Sequence, residues 1–198
     1  QAPEFSIRDS WFQPKTIDEL AKIRAYIMTL ENSGEIDFFK TAFSETVRAS
    51  SETRNGEFKL YRMSKSSLAK FEPKPIQLFK EIIRRNLSIL QSVKYAKNTE
   101  IQLFNEDTIH ICQTGELQNS IDLIITSPPY GDSHTTVAYG QFSRLSNEWL
   151  EFEESGTLDR RLLGGVKTEK RKFHIAELDN AIDEICEKDR SFNRERGW

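Results

Sequence analysis

The sequence predicts an α/β protein: part of a parallel sheet with right-handed crossovers, carrying a helical appendage on its amino-terminal side. Three observations lead there. Apolar residues recur at helical spacing in the first half of the chain. Two short apolar runs, Glu100–Phe104 and Asp122–Thr126, are too brief for helices, and the second is rich in β-branched residues. From Ile76 to Thr126 helix, strand, short helix and strand alternate, the pattern of a parallel sheet with crossovers. The division expected is a helical appendage over 1–72 and a partial α/β domain over 73–198.

Gln1 to Ser10 carries no periodic signal and begins without methionine, which reads as a fragment or processed piece. Thr16 is a plausible N-cap for a helix from Ile17 to about Leu30, with Ile17, Leu20, Ile23, Tyr26 and Ile27 at helical spacing. Asn32-Ser33-Gly34 is read as its stop. A second helix is expected from Ile36 to Ala49, with Phe38, Phe39, Ala42, Phe43 and Val47 as a core stripe. Around the turn Asn55-Gly56, the cations Arg54, Lys59, Arg62, Lys65 and Lys70 gather with Phe58 and Tyr61. An ordinary solvated hairpin accounts for this cluster as well as a DNA-backbone contact does.

Pro73 and Pro75 mark a boundary and then a helix start. Ile76, Phe79, Ile82, Ile83, Leu87, Leu90 and Val93 make that helix amphipathic. After the strand at Glu100–Phe104 comes the acidic turn Asn105-Glu106-Asp107, which also fits a helix N-cap. A short helix over Ile109–Leu117 precedes the second strand. That strand, with Leu123-Ile124-Ile125 at its centre, runs into Pro128-Pro129. Proline fixes φ and removes the backbone donor, so a ladder must stop there. Ser127 and Pro128, each preceding a proline, are held in extended geometry. A stiff loop at the carboxyl end of a strand is where open α/β sheets place ligands.

The chemistry such a loop suits is specific. The exocyclic amine of cytosine or adenine is a poor nucleophile, because its lone pair is delocalised into the ring. Acceptors for both N–H groups favour a tetrahedral nitrogen. The Ser127 hydroxyl and Pro128 carbonyl are such acceptors, and Tyr130 offers a stacking face for an extruded base. Thr126-Ser-Pro-Pro-Tyr130 resembles motif IV of the amino-group DNA methyltransferases, most of all the cytosine-N4 branch. The resemblance implies a Rossmann-like class I methyltransferase sheet and S-adenosylmethionine as cofactor. It also implies a catalytic loop of Ser127, Pro128, Pro129 and Tyr130, with Thr126 at the cofactor. Asp107 matches the family's motif III aspartate, which accepts a hydrogen bond from the cofactor's adenine amine, although Glu106 stands where glycine is commoner.

Downstream, Gly131 to Thr136 is small and polar and reads as a mobile loop over the flipped base, so Gly131, Ser133 and His134 are candidate DNA contacts. As an isolated histidine His134 is better read as a polar loop residue than as a general base. Val137 to Leu150 has the apolar face Phe142, Leu145, Trp149, Leu150 of a helix behind the loop, from which Tyr139 and Arg144 are within reach of DNA. A basic run over 167–172 and an amphipathic stretch from Ile175 to Ile185 complete the chain.

The family's glycine-rich motif I has no counterpart: Ser33-Gly34, Asn55-Gly56, Gly115 and Gly164-Gly165 do not follow a strand and open a helix. The chain therefore reads as the middle of a methyltransferase, with a second polypeptide or further segment expected to carry that turn. Composition bounds the alternatives. The net charge of −3 provides no global basic field, so DNA binding must rest on a local patch or a partner. No apolar run approaches the ~20 residues that span a bilayer. Cys112 and Cys186 have no metal or redox spacing and read as free thiols of a cytoplasmic protein, and scattered histidines offer no metal site. Two other functions fit the same residues: methylation of adenine N6 in DNA or a guanine amine in RNA, and a non-catalytic nucleic-acid-binding subunit with a degenerate methyltransferase fold.

Overall fold

The computed structural model describes residues 1–54, 56–57, 59–94, 99–104, 110–112, 119–126, 139–153, 155–157 and 174–188. Among them seven helices are defined: α1 (Arg8–Trp11), α2 (Pro14–Ile27), α3 (Ser33–Ser50), α4 (Lys65–Leu68), α5 (Pro75–Ser92), α6 (Tyr139–Trp149) and α7 (Ala176–Lys188). The central element is α3, which packs against α2, α5 and α6.

The helix starts follow from local chemistry. Pro14 opens α2, where its missing N–H costs nothing, so the first turn lies earlier than Thr16. Thr16 is instead buried inside the helix, 2% exposed, and caps nothing. Asn32 is likewise a start rather than a stop: its side chain accepts from Glu35 N at 3.1 Å and caps α3. Pro75 opens α5, and the free N–H of Ile76 donates to Glu19 Oε2 of α2 at 3.2 Å. A carboxylate at that position also meets the positive end of the α5 dipole.

The core joins residues from both sides of Pro73. Leu20, Ile23 and Ile27 of α2, Ala42, Phe43 and Val47 of α3, Phe79 and Ile82 of α5, and Leu145 and Trp149 of α6 form one buried cluster with Phe12 and Leu150. Trp149, fully buried, is its centre, with edge-on contacts to Phe5, Phe12 and Phe43 at centroid distances of 6.2, 5.8 and 6.2 Å. Each such pair adds roughly 0.5–1.5 kcal/mol beyond area burial. The aromatic stripe expected on α3 is thus core at Phe43 and partly buried at Phe39.

At its far end α6 closes with a Schellman motif: Phe152 N donates to Asn147 O at 3.0 Å and Glu151 N to Glu148 O at 3.2 Å. Glu151 takes the left-handed position at φ 55°, usually glycine's, and its carboxylate pairs with Arg24 of α2.

Residues 100–104 and 122–126, expected as strands, carry no strand pairing here. Leu103, Leu123, Ile124 and Ile125 are 92%, 74%, 77% and 88% exposed. The described residues contain one β pairing, an isolated antiparallel bridge between Thr53 and Arg62. They also contain no helix long and apolar enough to cross a membrane, and no cluster of metal-ligating side chains.

Candidate nucleic-acid interface

Ser127, Pro128, Pro129, Tyr130, Gly131, Ser133, His134 and Asp107 lie outside the described residues. Residues 127–138 precede α6 in the sequence, and the surroundings of that helix are described. Tyr139 is the first residue of that helix, and Thr126 is an exposed residue just ahead of the segment.

The first turns of α6 are locked to the basic loop between Thr53 and Arg62. The loop closes on itself: Arg54 N donates to Tyr61 O at 2.8 Å, Met63 N donates to Glu52 O at 2.9 Å, and Gly56 takes a positive φ of 94°. Leu60 N then donates to the Gln141 side chain of α6 at 3.3 Å. The stronger tie is Arg48, near the carboxyl end of α3. Its guanidinium donates to Phe142 O at 2.9 Å and to Glu57 O, and stacks 4.0 Å from the Phe142 ring centroid.

Arg48 is only 8% exposed and pairs with no carboxylate among the described residues. Burial pushes its pKa down, since removing a cation from water disfavours the charged form. Two carbonyl dipoles and one aromatic face hold the cation in place of a counter-ion. Arg48 was not among the sequence candidates. The one sequence signal was its place next to Val47 on the buried side of α3, where a solvated arginine is out of place.

Arg144 lines a cavity of about 400 Å³ together with Ile7, Trp11, Leu60, Gly140, Gln141 and Gly156 among others. Its Nε makes no hydrogen bond and lies 3.6 Å from Glu148 Oε1, one helical turn on. The structure therefore brings Arg144, the loop residue Leu60 and α1 together around the start of α6. It leaves Thr126 apart from any described partner.

Two of the described glycines, Gly34 and Gly56, do not form a cofactor cradle. Gly34 sits inside the first turn of α3 under its Asn32 cap, and Gly56 is a loop turn. Neither joins a strand to a helix, which is what a close approach to a methionine-type cofactor requires.

Comparison with known proteins adds a relative. The chain is 39% identical over 180 residues to the Type II methyltransferase M.MvaI of Kocuria varians, an overlap of 85% of this chain and 39% of that protein. The chain spans about two fifths of the length of the curated relative it matches. No family model matches it, and no solved structure does.

Proposed function

We propose that this chain is the target-base portion of a DNA amino-methyltransferase, acting in restriction–modification on cytosine N4 of a flipped base. The observation that carries the reading is Thr126-Ser-Pro-Pro-Tyr130, set within a chain that is similar over most of its length to a protein named as a Type II methyltransferase. In this reading the Ser127 hydroxyl and Pro128 carbonyl accept the target amine's hydrogens and orient its lone pair. Tyr130 stacks on the extruded ring. Residues 100–104 and 122–126 are strands of a Rossmann-like sheet completed by further polypeptide. S-adenosylmethionine supplies the electrophilic methyl group, and a further segment or polypeptide carrying the glycine-rich turn holds it.

The test is labelled methyl transfer to duplex DNA by this chain combined with the remaining polypeptide, followed by nucleoside mass spectrometry. N4-methylcytosine is expected. N6-methyladenine would move the assignment to the adenine branch. Ser127→Ala should slow turnover by ~10²–10³ with DNA binding near normal, as for loss of one aligned electrostatic partner. Tyr130→Ala should instead weaken capture of the flipped base by ~1–3 kcal/mol, read by 2-aminopurine fluorescence at the target position. If both variants kept wild-type turnover, the proline pair would be only a strand terminator and the non-catalytic reading would stand.

A further inference from the structure

The cationic loop that Arg48 fixes beside α6 is a feature the methyl-transfer reading does not yet use. From Arg54 to Lys70 the chain has five cations and one carboxylate, Glu57, although its net charge overall is −3. Arg54, Lys65 and Lys70 are exposed and Lys59 is half-buried; none of the four is ion-paired among the described residues. Arg62 does have a partner, Glu52, which it engages at 3.0 Å from Nε. Tyr61 stands among them 47% exposed, an aromatic left in solvent between cations. A solvated hairpin has no need to be anchored. This one is anchored at three points, through its own bridge, through Leu60 to Gln141, and through the buried Arg48 to Phe142.

We infer that Arg54, Lys59, Lys65 and Lys70 form a docking surface for the phosphates of duplex DNA, held at a fixed place relative to the start of α6. The inference deepens the reading of 127–130 as a target-base loop, whose chain enters α6 at Tyr139. Clustered unpaired cations on a rigid edge are what phosphate neutralisation requires, and such contacts set register without reading sequence. Their value here is positional. A duplex gripped by Arg54, Lys59 and Lys65 is set beside the start of α6, the helix that follows the base-capture segment in the sequence. The groove between α2 and α5, lined by Lys15, Lys74, Lys80 and Arg84, is also cationic. Among the described residues none of its lining side chains hydrogen-bonds to α6, so it serves as the control.

The experiment is fluorescence anisotropy of a labelled 20-base-pair duplex of arbitrary sequence, titrated with the chain between 50 and 200 mM KCl, without methyl donor. The variants are Arg54→Gln/Lys59→Gln/Lys65→Gln and, as control, Lys80→Gln/Arg84→Gln, each checked for an unchanged thermal melt. Each phosphate contact contributes about 0.9 to the slope of log K against log salt, so the triple variant should flatten it by about 2–3 and weaken binding at least ~10-fold. The control should leave both close to wild type. A wild-type slope in the triple variant, an equal loss in the control, or no duplex binding by the wild-type chain would each overturn the inference. Because no methyl donor is present, these outcomes are separate from failure of the catalytic reading, which Ser127→Ala turnover reports.

Discussion

The side chains packed around Trp149 and the apolar ones of residues 101–104 and 121–125 are of the same kinds, yet they have opposite surroundings. Trp149, Phe43, Leu20 and Leu145 are wholly buried, whereas Leu103, Leu123, Ile124 and Ile125 are between 74% and 92% exposed. The difference lies in what each kind of element needs. An amphipathic helix buries one stripe, and three neighbouring helices suffice to cover it. A β-branched run in a parallel sheet is buried on both faces and needs strands beside it and helices above and below. The helical region is therefore covered over most of its stripes by this sequence, except at the end of α5, where Leu87, Ile89 and Leu90 stay 44–53% exposed. The 99–126 region, in the reading proposed above, is completed by polypeptide from elsewhere.

The comparison is broken most severely at Trp149. Trp149→Ala removes the ring that joins α6 to Phe5, Phe12 and Phe43, and should cost ~3–5 kcal/mol in urea unfolding, as large-to-small changes in cores do. A loss below ~1 kcal/mol would mean the cluster does not depend on it. Next comes Arg48→Lys, which keeps the charge but loses the fork and the stack on Phe142. With part-buried carbonyls losing this charged donor and the ring its stack, a destabilisation of ~1–3 kcal/mol is expected. Amide exchange at Leu60 and Tyr61 should also accelerate; unchanged exchange there would deny Arg48 its role as the tie.

A smaller effect comes from the exposed pair between α3 and α5. Arg85 donates to both Glu45 oxygens, at 2.9 and 2.6 Å, and this hydrogen bonding holds the Glu45 carboxyl below the usual glutamate range. A depressed native pKa stabilises above the unfolded value of ~4.3. That increment is lost as pH falls through the native value. Both side chains are about half exposed, so Glu45→Gln should cost less than ~1 kcal/mol at pH 7 and flatten the acid limb of the stability curve. An unaltered acid limb would show that the pair contributes nothing. The smallest effect belongs to the other region: Ile124→Thr should change the stability of the chain alone by less than ~0.5 kcal/mol, because Ile124 loses no buried contact.

The same contrast explains how much was legible beforehand. The periodic stripes of α2, α3, α5 and α6 lie within single segments, so the sequence located all four and misjudged only their ends. Thr16 was mistaken for a cap because Pro14 starts a helix without one, and Asn32 for a stop because capping residues and turn residues are the same types. The Pro128-Pro129 pattern is read from residue types alone, and it lies outside the described residues. The seating of the basic loop beside α6 was not legible, since it rests on Arg48 reaching Phe142 across 94 positions of sequence. The balance between a solvated hairpin and a DNA contact, even on residue types alone, shifts once that anchoring is known.

The most direct measurement is hydrogen exchange of the chain alone and after addition of the polypeptide corresponding to the rest of the relative. In the chain alone, amides of α3 and α6 should exchange slowly, at the rate of global unfolding, and those of residues 121–126 quickly. After addition, residues 121–126 should become protected by several orders of magnitude while α3 and α6 change little. Protection of 121–126 already present in the isolated chain, or none gained on addition, would contradict the division into a self-sufficient helical core and a sheet segment that needs completing.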